Sequence, residues 1–171
     1  GDDAVLFPPA AQQLQSAITV IDNTTGNVVA LAGGVGEKTG SLLTNRATQS
    51  LRQPGSSIKP IAVYAPALDL GVITPATVID DSPYSFDGDG GSPWPVNAVG
   101  YYSGLTNVYT AVEESMNTVA VKVLGYYTSP QVAYDFLVNN LGLSTDHLVV
   151  QEEINGTTYS DIGLAQMALG G

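Results

Sequence analysis

The sequence predicts an α+β protein in which a β-hairpin leads into a mainly helical body. Three observations carry this. Two β-branched runs near the start are separated by turn residues. A stretch rich in proline, glycine and aspartate fills the middle. From about Leu105 onward apolar residues recur at helical spacing. The hairpin comes first. Ala17-Ile18-Thr19-Val20-Ile21-Asp22 and Asn27-Val28-Val29-Ala30-Leu31 are short strand-formers, and Asn23-Thr24-Thr25-Gly26 between them is turn chemistry. Residues 1–15, with Pro8-Pro9 and an Ala/Gln run, read as a linker or lead-in, and residues 16–171 as the folded part. Residues 33–45 read as a glycine-rich loop.

A helix is expected to start near Ser56, after Gln53-Pro54-Gly55. Pro60 is tolerable in a first turn, whose N–H groups have no intrahelical partner, whereas Pro66 lies deeper and predicts a kink or early break. Residues 71–105 show little periodicity and read as an extended excursion. Beyond them Val108, Ala111 and Val112, then Val119, Val121, Val123 and Leu124, then Val132, Phe136 and Leu137 mark helices. Asn140-Leu141-Gly142 marks a helix stop. A last helix is expected from about Asp161 to Gly170-Gly171.

Composition excludes several classes. There is no cysteine, hence no disulfide, thiolate metal site or cysteine nucleophile. The net charge is −11, from 16 acidic and five basic residues, which argues against a nucleic-acid partner because phosphate binding needs a basic surface. No apolar run is long enough to span a bilayer, and no signal segment opens the chain, so the piece reads as soluble even though a longer parent could be anchored. Gly1 ahead of Asp2 resembles a residue left by tag cleavage. The five basic residues are unevenly placed: Lys38, Arg46, Arg52 and Lys59 cluster, with only Lys122 elsewhere. A locally basic helix face would give the same clustering.

Several features are weaker. Asp87-Gly88-Asp89-Gly90 resembles the start of a calcium loop, yet alanine stands at position 98, where the closing glutamate would fall. His147 has no histidine or cysteine partner in the sequence and reads as a surface residue. Tyr101-Tyr102 and Tyr126-Tyr127 read as packing or cleft-wall residues, and the sequons at Asn23 and Asn155 as turns.

The strongest local signal is Arg52-Gln53-Pro54-Gly55-Ser56-Ser57-Ile58-Lys59-Pro60. It sets a serine at a helix start and a lysine three residues on, so that amine and hydroxyl share one helix face. Helix-terminal N–H groups favour negative charge developing beside Ser56. A lysine deprotonated by burial or by cationic neighbours can activate such a serine. Spacing alone fits equally an N-capping serine and a solvated lysine. Ser115-Met116-Asn117, between two apolar segments, adds a second polar triplet, which alone would pass for an ordinary turn or cap.

Together these residues resemble the S-x-x-K and S-x-N motifs of class A penicillin-binding proteins. The resemblance runs from Ala17 to the end. It includes Ile21-Asp22…Gly26-Asn27-Val28-Val29-Ala30…Gly33-Gly34, Asn45-Arg46-Ala47, Pro95-x-Asn97, Ser115-Met116-Asn117-Thr118-Val119-Ala120-Val121 and Ala168-Leu169-Gly170-Gly171. It implies a penicillin-binding-protein/β-lactamase-like transpeptidase fold. It further implies that Ser56 is the nucleophile, Lys59 its base, Ser115 a proton relay and Asn117 a substrate clamp. The implied activity is D-alanyl-D-alanine transpeptidation outside the cytoplasmic membrane, in a membrane-anchored parent, with peptidoglycan stem peptides as substrates, β-lactams as inhibitors, and no metal or organic cofactor. A carboxypeptidase, a β-lactamase, a β-lactam sensor or a non-catalytic scaffold are the rival readings.

The family's third motif, Lys-(Thr/Ser)-Gly, is expected downstream of S-x-N and does not occur there. Lys38-Thr39-Gly40 lies upstream of the nucleophile, in the loop after the hairpin, which is the wrong order and context. The fold is therefore expected to be incomplete, an N-terminal hairpin plus helical subdomain without the C-terminal strands. The chain is expected to fold only with the C-terminal half of the same domain, or in a rearranged or oligomeric form that associates through its exposed sheet edge, and the fragment alone to be weak or inactive.

Overall fold

In the computed structural model the chain is described over residues 14–37, 40–41, 43–85, 92–146 and 148–171. Lys38-Thr39, the Asp87–Gly90 run, His147 and nearly all of the lead-in lie outside the described residues. The protein is α+β, and it divides into two compact units, residues 1–52 and 53–171.

The first unit holds the expected hairpin. Strands β1 (Ile18–Ile21) and β2 (Val28–Ala32) pair antiparallel, with Val20 opposite Ala30 and a register shift before Ile21. The turn is organised by Asp22, whose carboxylate accepts the Thr24 N–H at 2.9 Å and the Thr25 hydroxyl at 2.8 Å. Those two bonds, the Thr24 N–H foremost, hold the Asp22 carboxyl below its ordinary range. The loop that follows ends in a short helix, α1 (Arg46–Gln49). Asn45 caps it by accepting the Ala47 N–H, while Gln49 accepts the Asn45 N–H, a reciprocal arrangement that satisfies two donors.

The second unit contains the core. A 3-10 turn over Gly55–Ile58 runs into a wide π-type turn over Pro60–Tyr64 and helix α2 (Ala65–Asp69). The break anticipated at Pro66 takes this form: proline has no N–H to donate, and the backbone widens just before it, with the Ala65 N–H reaching Pro60 O. Strands β3 (Val78–Asp81) and β4 (Gly104–Asn107) pair antiparallel. The excursion expected over residues 71–105 therefore contains β3 and the start of β4, the two strands of a small sheet. Four residues per strand are too few to show a period, and β4 exposes Leu105. Helix α3 (Val108–Glu113) begins three residues after Leu105, capped by Asn107 accepting the Thr110 N–H at 2.8 Å.

Helix α4 (Asn117–Lys122) continues through a π-type turn over Val123–Tyr127. Helix α5 (Pro130–Asp135) does the same over Phe136–Asn140, and its chain reverses at Gly142 as expected. A hairpin of β5 (Glu152–Ile154) and β6 (Thr157–Tyr159) was not expected. Asn155 and Gly156 both take positive φ, which is the two-residue turn geometry that Asn-Gly favours, so the signal was in the sequence and was read only as a turn. Helix α6 (Leu164–Leu169) starts three residues later than expected and stops on Gly170 in the left-handed region. Val63, Val119, Val123, Leu124, Ala111 and Ala168 are completely buried and hold α2, α3, α4 and α6 around one apolar centre. No helix among the described residues is long and apolar enough to cross a membrane.

Candidate active site

The candidate residues lie on two segments of the second unit, the 3-10 turn that carries Ser56 with Lys59 directly after it, and the reversal between α3 and α4. Ser56 lies inside Gly55–Ile58 and is exposed. The neighbouring Ser57 is tied down, its hydroxyl donating to Pro54 O at 2.7 Å, whereas no hydrogen bond joins the Ser56 hydroxyl to Lys59. The turn itself is anchored from behind: the Gly55 N–H donates to Gly170 O at 3.1 Å. A side chain at Gly170 would bring its Cβ within 2.4 Å of Gly55 O, so glycine is required there for contact as well as for its φ of 70°.

Lys59 is only 2 % exposed. Its Nζ donates to Ser115 O at 2.6 Å, to Asn117 Oδ1 at 2.5 Å and to Ser115 Oγ at 3.2 Å. The solvated-lysine reading is thereby excluded, and so is the capping serine, because Pro54 occupies the cap position and no side chain caps the turn. Burial lowers the Lys59 pKa to about 8. About one molecule in ten would then carry a neutral amine at pH 7.

The three acceptors match the three N–H bonds of an ammonium. In the neutral amine two N–H bonds remain, enough for the two closest oxygens, and the lone pair is left facing the Ser115 hydroxyl. The same atoms thus accommodate both protonation states without rearrangement.

Ser115 is one of two non-glycine residues with positive φ among the described residues, at 52°. Such a conformation costs about 1–3 kcal/mol, and here it makes the sharp reversal that turns both its carbonyl and its hydroxyl toward Lys59. Asn117 begins α4, and its amide is fixed at both ends: Nδ2 donates to Val96 O at 2.7 Å and Oδ1 accepts from Lys59. All four residues singled out in the sequence therefore lie at this locus, with Lys59, Ser115 and Asn117 in direct contact and Ser56 on the adjoining turn.

Sequence reasoning did not find the support beneath them. Asn97 is buried, and its Oδ1 accepts the Asn117 N–H at 2.8 Å and the Thr118 N–H at 3.3 Å. It serves as the missing cap of α4, since Met116 at the cap position has no side-chain acceptor. Asp81, fully buried at the end of β3, accepts from Asn97 Nδ2, from Ser103 N–H and, through a short bond, from the Thr118 hydroxyl. Burial pushes the Asp81 carboxyl up; the bonds from Thr118, Ser103 and Asn97, with the charge of Lys122, more than offset this and hold it low. One turn beyond Thr118 on α4, Lys122 donates to Asp80 O at 2.6 Å and to the Ser82 hydroxyl at 3.0 Å. Tyr126 meets the edge of Tyr84, with centroids 6.0 Å apart, so this tyrosine of the pair contributes packing as expected.

A profile of the penicillin binding protein transpeptidase domain matches residues 16–170. The chain belongs to that family. Penicillin-binding protein 1A of Clostridium acetobutylicum is 39% identical across 92% of this chain, and its counterpart in Neisseria lactamica is 45% identical across 65%. The crystal structure of penicillin-binding protein 1A from Haemophilus influenzae agrees over 91% of this chain with a TM-score of 0.71 and 29% sequence identity. The chain spans about a fifth or less of the length of the relatives it matches: 21% of the Clostridium and Haemophilus proteins and 14% of the Neisseria one.

Proposed function

We propose that this chain carries the nucleophile side of a D-alanyl-D-alanine transpeptidase that cross-links peptidoglycan and reacts with β-lactams. The observation that supports this best is Lys59, a buried amine aimed at both polar residues of the S-x-N triplet. In the reaction, the neutral amine of Lys59 takes the proton of the Ser56 hydroxyl as Oγ attacks the carbonyl of the penultimate D-alanine. A tetrahedral oxyanion forms. When it collapses, the C–N bond breaks and the proton passes from Lys59 through the Ser115 hydroxyl to the departing nitrogen of the terminal D-alanine. An amine from a neighbouring stem peptide then attacks the acyl-Ser56 ester, gives its proton back along the same path, and releases Ser56. Asn117 presents its amide to the backbone of the stem peptide. A β-lactam acylates Ser56 in place of the D-alanyl-D-alanine end, and its ring opens without losing a fragment.

The substrate side of the cleft is assigned to further strands of the same domain. The exposure of every residue of β1 and β2 supports this, because an apolar hairpin of two strands is marginal without a covering layer. The same strands would supply the remaining oxyanion donor, whose loss typically slows acyl transfer by about 10²–10³. The parent is placed outside the cytoplasmic membrane, where its peptidoglycan substrate is.

Labelling with a fluorescent penicillin tests the proposal. The chain alone should label faintly or not at all, and the chain together with the C-terminal half of its domain strongly, with the signal abolished by Ser56→Ala. Acylation without turnover on a stem peptide would point to a sensor. Absence of acylation from the completed domain would make it a scaffold.

A further inference from the structure

The buried polar groups behind the S-x-N triplet form a directed chain that ends on Lys59. Asp81 receives only donors: two contacts from Asn97 Nδ2, at 2.8 and 3.1 Å, the Ser103 N–H at 2.8 Å and the Thr118 hydroxyl. A carboxylate, acceptor on both oxygens, satisfies all of them; an amide or a protonated acid would set a hydrogen against a hydrogen. This fixes the Asn97 side chain one way round, its NH₂ toward Asp81 and Tyr101 O and its carbonyl oxygen toward the first turn of α4. That oxygen holds the backbone N–H groups of Asn117 and Thr118, so the start of α4 cannot rotate. With its backbone held and its Nδ2 bound to Val96 O, Asn117 must direct Oδ1 at the Lys59 amine.

We propose that Asp81 is a positioning residue of the acylation site: acting through Asn97, it sets the start of α4 and thereby holds the Lys59 amine closed against Ser115 and Asn117. The inference rests on the role proposed above for Lys59, and concerns residues that touch neither substrate nor Ser56. Burial is what lowers the Lys59 pKa, and no charged group contributes to that shift. Asp81 in turn is faced by Thr118, Ser103 and Asn97, and by the charge of Lys122 from α4. Releasing the first turn of α4 therefore admits water to Lys59 and returns its amine toward ordinary lysine behaviour.

The test follows the Lys59 side chain directly in this chain joined to the C-terminal half of its domain. It is labelled at lysine Cε with ¹³C and titrated by NMR, the Lys59 signal being identified by its loss in Lys59→Arg. The wild type is expected to titrate near pH 8, and Asn97→Ala and Asp81→Ala are expected to move the midpoint upward toward 10.5. Asp81→Ala leaves several buried donors unpaired and can prevent folding, so Asn97→Ala, with its fold confirmed by a cooperative thermal melt, decides. In the completed domain the same variant should lower the rate of penicillin acylation per folded molecule by about ten- to a hundredfold, the scale of a misplaced catalytic group. A folded Asn97→Ala protein whose Lys59 midpoint stays where it is in the wild type would overturn the inference. A midpoint that moves in a protein whose completed domain never labels at Ser56 would leave the inference standing and remove the transpeptidase reading instead.

Discussion

The hairpin of the first unit and helix α4 of the second are built from similar residues and end in opposite situations. Ile18, Val20, Ile21, Val28, Val29 and Leu31 are all exposed, whereas Val119, Ala120 and Val121 are 1 % exposed or less. Both segments are regular, although each strand of the hairpin pairs along one edge only. What separates them is the presence of a second layer. Apolar burial stabilises by about 25 cal/mol per Å² of surface removed from water, and α4 has α3, α6 and β3 to remove it, whereas the apolar side chains of the hairpin stay exposed. Regular secondary structure thus reports local sequence, and stability reports what lies against it.

Three substitutions test that contrast, in descending order of expected effect. Leu124→Ala, at the centre of the helical unit, should cost about 2–5 kcal/mol in urea unfolding, because nothing around a fully buried leucine is free to fill the space. Gly170→Ala should cost about 1–3 kcal/mol, from its left-handed backbone and from the collision with Gly55. The same variant should slow acylation of the completed domain, which separates it from Leu124→Ala measured at equal folded fraction. Val20→Thr in the hairpin should change stability by no more than about 0.5 kcal/mol. A loss well above that on unfolding of the chain would mean that something covers the strands in solution.

How much of this was legible beforehand depended on the length over which each signal runs. The β1–β2 hairpin was readable because two β-branched runs flank a turn, and α4 because its apolar residues are many. Strand β3 was not, since Val78-Ile79-Asp80-Asp81 buries only Ile79 and Asp81, and a buried aspartate contradicts the pattern a strand detector seeks. The Asn155-Gly156 turn is legible as a turn, whereas the three-residue strands on either side of it are too short to show a period. At the site, Ser56, Lys59, Ser115 and Asn117 stood out through spacing and resemblance. Asn97 was visible only as part of Pro95-x-Asn97, and Asp81 had no signal at all. Its partners Asn97, Ser103 and Thr118 come from three separate segments, and only the folded chain brings them to one carboxylate.

Gly55 and Gly170 stand near opposite ends of the second unit, yet one backbone bond between them fixes the residue that precedes Ser56. The loop so closed is long, yet the entropic cost of closing it grows only slowly with its length. The turn that carries Ser56 is thus held by the far end of the helical unit, so that whatever loosens the end of α6 loosens that turn with it.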